Sequence, residues 1–332
     1  MELFKSKKTM WESFYRTMEK KEQKAGRIIT LTLNPSVTQT MVVDGLSAGN
    51  ENELYTMTAD IGGFGIEISR ILSGCGYATM CTGLEFSTDK KTLEQFMQVL
   101  KIPFVFAEAE GKMRSIVRVL NKNGQPPTEM KEHGWKVSSG AVANLAKKRK
   151  KVMDTLKPDD ILVLGGSVPG GVSDDAYCSW ILGAKEKNVR TILSAEGSLL
   201  RKGIEKKPYG IVVSEKNFAD YAGCQTLSEE KTILTAKKLL EQGISVVCVY
   251  NTKHEILLIR QQGVSKGTAY SKGAVCECGE SSSVIAGLCM AMSSQKEEEA
   301  LDYILAVVNG TLHKPGNGMC TSTDFEKFFK NK

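Results

Sequence analysis

Five short apolar runs constrain the fold of this chain more than any other feature. They occupy residues 28–33, 161–164, 191–193, 211–213 and 246–249. The last four runs are apolar almost throughout. They do not alternate between apolar and polar residues, as a strand with one solvent-exposed face does. Helical stretches such as 174–187 and 229–242 separate these later runs. The pattern predicts an α/β fold with a mainly parallel central sheet that helices cover on both faces.

Two parts of the chain depart from this pattern. Residues 38–58 and 104–130 contain shorter, alternating strands separated by glycines, and we expect them to form a small β excursion. Residues 1–26 place apolar side chains, among them Phe4, Trp11 and Met18, on one face of a helix. We predict that this amphipathic helix packs on its own domain, with docking of a partner as the alternative. Residues 27–332 are predicted to form a single domain.

The net charge of the chain indicates which kinds of ligand it is suited to bind. The formal net charge of +6 over 332 residues suits anionic small molecules and does not by itself indicate a nucleic acid. The one dense basic run, residues 147–151, follows an alanine-rich segment. We interpret it as a solvated helix end, with its cations near the C-terminal dipole.

The cysteines indicate a reducing environment. Nine cysteines are scattered along the chain, several within apolar runs, which is not a disulfide framework. Cys276 and Cys278 form a C-x-C pair, but none of the three histidines is near it in sequence, so no metal site is predicted. No apolar stretch approaches the ~20 residues needed to span a membrane, and no signal-peptide core opens the chain. We therefore expect a cytoplasmic protein without a membrane partner.

Several motifs, taken in order, carry a resemblance to a known family. They lie at residues 32–35, 62–66, 164–172, 279–287 and 314–318, and each contains glycine, proline or both. In this order and spacing they resemble the PfkB/ribokinase family of carbohydrate kinases, most closely the branch of 1-phosphofructokinases and tagatose-6-phosphate kinases. The resemblance extends from about residue 27 to the C-terminus.

The resemblance implies a ribokinase-like three-layer sandwich with a small β lid, which covers the sugar and often forms a homodimer. It also implies an ATP-dependent kinase that converts fructose 1-phosphate or tagatose 6-phosphate to the bisphosphate, with ATP and Mg²⁺ as cofactors. In the family an aspartate removes the proton of the sugar hydroxyl, and backbone N–H groups at a helix N-terminus hold the phosphate charge.

The motif that carries the family's aspartate differs here. The family has Gly-Ala-Gly-Asp where this chain has Gly279, Glu280, Ser281 and Ser282. A serine hydroxyl at neutral pH does not accept a proton as a carboxylate does, and loss of a general base lowers the rate about 10²–10⁴-fold. Glu280 adds a negative charge where a helix N-terminus would bind phosphate. The three serines 281–283 are themselves predicted to be N-cap residues.

The sugar-binding motifs differ as well. The positions that match them are Asn34, Thr38, Gly62, Gly63, Phe64, Glu67, Arg114 and Arg118. The resemblance implies an aspartate at Thr38, a lysine at Phe64 and an asparagine at Glu67, so a cation is lost and a carboxylate is gained. We predict that Phe64 fills the vacated sugar space and that Glu67 is solvated or paired with Arg70 or Arg114. Arg114 and Arg118 keep the lid able to bind an anion weakly.

The nucleotide-binding motifs have lost their glycines and their Lys-Pro-Asn sequence. The matching positions are Ser214, Asn217, Thr252 and Glu255. Side chains in a loop that must approach phosphate closely add bulk and restrict the backbone. Three functions remain open: a sugar-phosphate kinase with reduced or lost activity, an inactive homologue that binds a small ligand or a partner, and an α/β protein with another activity in the same cleft.

Overall fold

The computed structural model describes residues 26–125, 127–270, 279–314 and 318–330. The predicted N-terminal helix, apart from Gly26, lies outside the described residues, as do Cys276 and Cys278 and most of the closing loop at 314–318.

The described residues form thirteen strands and ten α-helices. The strands are β1 (Ile28–Thr32), β2 (Ser36–Val43), β3 (Thr56–Gly62), β4 (Thr79–Phe86), β5 (Phe104–Ala109), β6 (Arg114–Asn121), β7 (Thr128–Lys131), β8 (Ile161–Gly165), β9 (Arg190–Ser194), β10 (Gly210–Ser214), β11 (Val246–Tyr250), β12 (Glu255–Arg260) and β13 (Gly263–Thr268). The helices are α1 (Phe64–Gly74), α2 (Lys90–Val99), α3 (Ser139–Thr155), α4 (Cys178–Glu186), α5 (Gly197–Glu205), α6 (Glu215–Tyr221), α7 (Glu229–Glu241), α8 (Glu280–Ser293), α9 (Ala300–Leu312) and α10 (Ser322–Lys330).

The main sheet has nine strands in the order β13-β12-β11-β10-β9-β8-β1-β4-β5. The strands from β11 to β5 in this order are parallel, whereas β12 and β13 continue the sheet antiparallel to their neighbours. The five apolar runs form β1, β8, β9, β10 and β11. The predicted mainly parallel sheet is confirmed.

Alternate residues of the apolar runs enter two separate cores. In β8, Leu162 and Leu164 belong to the core beneath α2 to α7, and Ile161 and Val163 belong to the core beneath α1, α8 and α9. All four side chains have no solvent exposure. The continuous apolar sequence is therefore explained by burial on both faces of the sheet, which gives a three-layer sandwich.

A four-stranded sheet in the order β3-β2-β6-β7 forms the predicted β excursion, called the lid below. Its strands β2 and β6 are parallel and in register from Ser36 and Arg114 onward. The second lid segment was predicted to begin at residue 104, but β5 (Phe104–Ala109) is the edge strand of the main sheet. The lid contribution of this segment starts at Arg114.

The start of β1 is fixed by side chains from elsewhere in the chain. The backbone N–H of Arg27 donates to buried Asp160 at 2.8 Å, and the guanidinium donates to the same carboxylate at 2.6 Å. Ser293 donates to the carbonyl of Gly26 at 3.2 Å. A Cβ atom at Gly26 would lie 1.8 Å from the carbonyl oxygen of Asp159, so this position admits only glycine.

Helix α8 is buried along nearly its whole length, between α1 and α9. Gly287 allows α9 to approach, since a Cβ atom there would lie 2.5 Å from the Cα of Ile304. This close packing holds the first turn of α8 rigidly beside the first turn of α1.

The basic run lies in α3, but the last turn of that helix contains no basic residue. Our interpretation of the run as cations at the C-terminal dipole is therefore wrong. Within the described ranges, no helix is both long and apolar enough to cross a membrane.

Candidate functional site

The first turns of α1 and α8 form the centre of the candidate site. Gly63 precedes α1 with φ 131°, and a Cβ atom there would lie 2.7 Å from Cγ2 of Thr32 at the end of β1. Gly279 precedes α8 in the left-handed conformation, with φ 78°. Both helices therefore begin immediately after a glycine that admits a tight turn. Gly62, the other half of the Gly-Gly pair, ends β3 opposite Ser36.

Ser282 and Glu67 meet between these two helices. The hydroxyl of Ser282 donates to Oε2 of Glu67 at 2.9 Å, and Ser282 is 1% exposed. The neighbouring Ser283 donates to Thr311 of α9 at 2.8 Å. The N-cap position is Gly279, so the prediction that serines 281–283 cap the helix is wrong. Instead, Ser282 binds the carboxylate that replaces the family's asparagine.

Arg114 supplies the positive charge nearest to this carboxylate in the lid. Burial lowers the pKa of its guanidinium, and the charge of Glu67 opposes that effect. Arg70, the other predicted partner of Glu67, instead binds Asp60 at 2.7 Å. Arg118 binds Glu129 of β7 at 2.7 Å and so takes part in an ion pair within the lid.

Three residues at the positions that match sugar-binding motifs or beside them have buried polar atoms without a partner. These atoms are Oδ1 of Asn34, Oγ of Ser36 and Nε of Arg114, for which the described residues offer no hydrogen bond. The amide of Asn34 donates to the carbonyl of His133 at 3.0 Å. Thr38, two residues after Ser36 in β2, is also buried. Buried polar groups are normally paired, so an accumulation of unpaired ones is typical of a ligand site.

Phe64 packs on the glycine turn after β8. A Cβ atom on Gly165 would lie 2.6 Å from Cζ of Phe64, and one on Gly166 would lie 2.6 Å from its Cβ. The hydroxyl of Tyr177 fixes this turn by donating to the carbonyl of Gly165 at 2.7 Å. The ring of Phe64 thus occupies space beside the glycine turn within the motif at residues 164–172.

An imidazole and carboxylate pair lies at the first residue of α8. Nδ1 of His254 lies 2.9 Å from Oε1 of Glu280, and both side chains are largely buried. Ser281 forms a hydrogen bond with Tyr250, whose pKa is raised to about 12, chiefly by burial. Sequence analysis missed the roles of His254 and Tyr250. The signal was present, because Glu280 opens a helix that is apolar from Val284 onward, and a carboxylate that such a helix carries into the interior needs a polar partner.

The positions that match nucleotide-binding motifs serve local structure. The hydroxyl of Ser214 caps α6 by accepting from the backbone N–H of Asn217 at 3.2 Å. Asn251 organises the turn before β12, donating to Glu255 at 2.8 Å and accepting from its backbone N–H at 3.1 Å. Thr252 lies in this same turn.

A cavity of about 170 Å³ lies beside these positions, between α6, α7 and the β11–β12 hairpin. Three of its side chains are the carboxylates Glu215, Glu229 and Glu255, against the single cation Lys266. Lys266 binds Glu229 at 2.7 Å, so its charge is already neutralised. The lining of this cavity disfavours a polyanion.

The structure therefore brings together the base position and most of the predicted sugar positions, and it places the predicted nucleotide positions at a neighbouring edge. Arg118 is the exception among the sugar positions, because it is paired within the lid.

Comparisons with known proteins agree with this architecture. No protein family model matches the chain. It is 28% identical to the 1-phosphofructokinase of Bacillus subtilis, over 86% of this chain and 91% of that protein. It is 27% identical to the tagatose-6-phosphate kinase of Staphylococcus epidermidis, over 52% of this chain and 54% of that protein.

Among solved structures, phosphofructokinase-2 from Escherichia coli in complex with potassium superposes with a TM-score of 0.83. The sequence identity is 17%, and the alignment covers 92% of this chain and 98% of that one. This likeness shows a shared fold. The chain is thus a homologue of the 1-phosphofructokinases and tagatose-6-phosphate kinases, built on the fold of the PfkB/ribokinase sugar kinases.

Proposed function

We propose that this chain is a sugar-phosphate kinase homologue in which phosphoryl transfer is slow or absent and the cleft retains binding of a small phosphorylated sugar. The observation that carries the proposal is the Glu280–His254 pair at the first residue of α8. Transfer requires free backbone N–H groups there to receive the developing negative charge. A carboxylate held over these groups competes with phosphate for them.

The base position supports the same proposal. The hydroxyl of Ser282 donates a hydrogen bond to Glu67, and its oxygen does not take up a substrate proton at neutral pH as a carboxylate does. The side chains on the nucleotide side do not fit MgATP either. Carboxylates predominate in the adjacent cavity, and the turn that would pass over a triphosphate is closed by Asn251.

Binding of a sugar phosphate is supported by the unpaired polar atoms at and beside the sugar-binding positions. Arg114 provides a guanidinium with an unpaired N–H, and Asn34 and Ser36 provide unpaired oxygens. Guanidinium groups bind phosphate in a bidentate manner, and hydroxyl groups of a sugar are donors to such oxygens. Fructose 1-phosphate and tagatose 6-phosphate, which the relatives' names suggest, are the ligands to test first.

An assay of ADP release tests the transfer step. With ATP, Mg²⁺ and either sugar phosphate, the protein is expected to release ADP no faster than a mock preparation, because loss of the base alone lowers the rate about 10²–10⁴-fold. In a thermal-shift series, a sugar phosphate is expected to raise the melting temperature of the wild type but not of Arg114→Gln. Saturable turnover that survives both Glu67→Gln and Ser282→Ala would contradict the proposal.

The 2.9 Å contact favours a second candidate, a kinase in which Glu67 acts as the base. Its carboxylate lies one hydrogen bond from the position of the family's aspartate, and so within reach of a bound hydroxyl. Under this alternative, ADP release is measurable, Glu67→Gln lowers it about 10²–10⁴-fold, and Ser282→Ala leaves most of it. The two candidates are separated by the wild-type rate alone.

We also propose that the lid forms a homodimer. By the register of the lid strands, Met57 and Met130 lie on one face of the sheet with Met41 and Val117. Met57 is 58% exposed and Met130 is 55% exposed, and apolar surface of this kind commonly marks an interface.

Light scattering is expected to give the mass of a dimer for the wild type and of a monomer for a Met57→Glu/Met130→Lys variant. Val99→Glu is the matched control, because Val99 is 80% exposed on α2, away from the lid. A dimer that persists in the lid variant, or a wild-type monomer, would refute the lid interface.

A further inference from the structure

A second concave site lies where α3 faces strands β4 and β5 of the main sheet. It is a groove of about 650 Å³, within the usual size of small-molecule sites, and its lining includes none of the candidate site residues described above. The buried side chains Glu85 and Phe106 line it from the sheet, and exposed or half-buried side chains of α3 line it from the other side.

Glu85 is the unusual residue in this groove. It is 6% exposed, and its Oε1 lies 3.4 Å from Nζ of Lys90, which also binds Glu108. Its Oε2 is buried and has no hydrogen-bond partner among the residues that the structure describes. Burial raises the pKa of this carboxyl, an effect that Lys90 opposes. A buried carboxylate oxygen without a donor is costly, and it is the kind of atom that a bound amine or hydroxyl satisfies.

The facing wall of the groove is cationic. Four lysines of α3 line the groove at helical spacing, together with Asn144 and one carboxylate, Asp154; the lysines are Lys147, Lys148, Lys150 and Lys151. None of these lysines forms a salt bridge with any described residue. Arg149, in contrast, turns away and donates to Ser179. Like charges at such spacing repel one another along a helix, and an anion placed between them removes that repulsion.

We propose that this groove binds a small phosphate ester that also carries an amine, such as an amino-sugar phosphate. The lysines of α3 receive the phosphate, and the amine donates to Oε2 of Glu85. A site for a simple anion would not include a buried carboxylate, and a site for a simple cation would not be lined by four lysines on the facing helix. The inference goes beyond the proposed function, since it does not depend on phosphoryl transfer or on the cleft at α8.

Glu85 also has a consequence for stability without ligand. Because the pKa of this group is raised in the folded protein, the folded state binds more protons than the unfolded state between the two pKa values, and stability falls as pH rises through that window. Glu85→Gln is therefore expected to melt at a higher temperature than the wild type at pH 7, with the difference shrinking toward pH 4. A lower melting temperature for Glu85→Gln at pH 7 would show that the carboxylate is a structural group, contrary to the proposal.

Calorimetric titration with glucosamine 6-phosphate, glucose 6-phosphate and inorganic phosphate tests the site. Glucosamine 6-phosphate is expected to bind most tightly, and Glu85→Gln is expected to weaken it about 10- to 100-fold, to the level of glucose 6-phosphate. A Lys147→Ala/Lys148→Ala variant, whose side chains lie at the surface and should not affect folding, is expected to weaken both esters.

Arg114→Gln is the control for the cleft at α8 and is expected to leave this binding unchanged. Three outcomes would overturn the proposal: no binding of glucosamine 6-phosphate, loss of binding in Arg114→Gln only, or equal binding of inorganic phosphate that is insensitive to Glu85→Gln. The last would identify a basic surface without a ligand pocket. Each of these outcomes is independent of the ADP-release assay.

Discussion

Ser282→Asp is expected to lower the melting temperature by several degrees and not to create kinase activity. The substitution would remove the hydroxyl that donates to Glu67 and place a second carboxylate within hydrogen-bond distance of it. Two carboxylates cannot share a buried site without one taking up a proton, and loss of the buried donor costs about 1–3 kcal/mol. The variant would thus have the aspartate of the carbohydrate-kinase motif, but the neighbouring carboxylate of Glu67 would destabilise it.

The double variant Glu67→Asn/Ser282→Asp separates this explanation from a general intolerance of α8. It exchanges the donor and the carboxylate between the two helices, so the hydrogen bond can form again in the reverse sense. We expect it to recover most of the loss, with a coupling free energy of about 1–3 kcal/mol in a double-mutant cycle measured by urea unfolding. Additive effects of the two substitutions would show that Glu67 and Ser282 do not interact. The double variant is still expected to lack activity while the Glu280–His254 pair remains.

Gly287→Ala is expected to be among the most destabilising single substitutions outside the candidate site. The new methyl group would lie 2.5 Å from the backbone Cα of Ile304, which cannot move without shifting α9. Overpacking of this kind costs about 1–3 kcal/mol, and occasionally more. The cost appears as a lower midpoint in urea unfolding with an unchanged slope.

Gly140→Ala is the matched control, because it makes the same change in another helix. A Cβ atom at Gly140 meets only Oγ of Ser138, at 3.6 Å, and the position is exposed in the first turn of α3. With no contact to disturb, the gain in helix propensity and the loss of unfolded-state freedom should stabilise the protein by about 0.4–1 kcal/mol. Opposite signs for the two variants would confirm that backbone proximity at Gly287, not glycine chemistry in general, sets the cost.

The fold was predictable because a continuous apolar run directly indicates a strand that is buried on both faces of the sheet. Ile161 and Leu162 enter different cores, and only a strand between two layers of helices requires apolar residues at both positions. The boundary of the lid was not predictable to the same degree. Strand β5 is short and lies at the sheet edge, and its sequence gives no sign that it pairs with β4 and not with the lid strands that follow it.

The positions of the candidate site residues could be predicted from the sequence, but their hydrogen-bond partners could not. Motif spacing places Ser282 at the base position, but its partner Glu67 is 215 residues away in sequence. Local rules made the serines N-caps, since they follow a glycine before an apolar helix. The burial of α8 between α1 and α9 overrides that preference, because a buried hydroxyl takes whatever partner the facing helix offers. Short sequence segments do not indicate tertiary packing of this kind.

The contacts of Gly26 and Arg27 determine where a group attached just before these residues would project from the protein. The five residues of β1 span about 17 Å, and the cleft lies at the carboxyl end of this strand. Asp160 and Ser293 anchor the opposite end. A fluorophore or a surface tether joined directly before Gly26 would therefore emerge at the edge of the sheet remote from the cleft. Immobilisation through that end should leave ligand access intact.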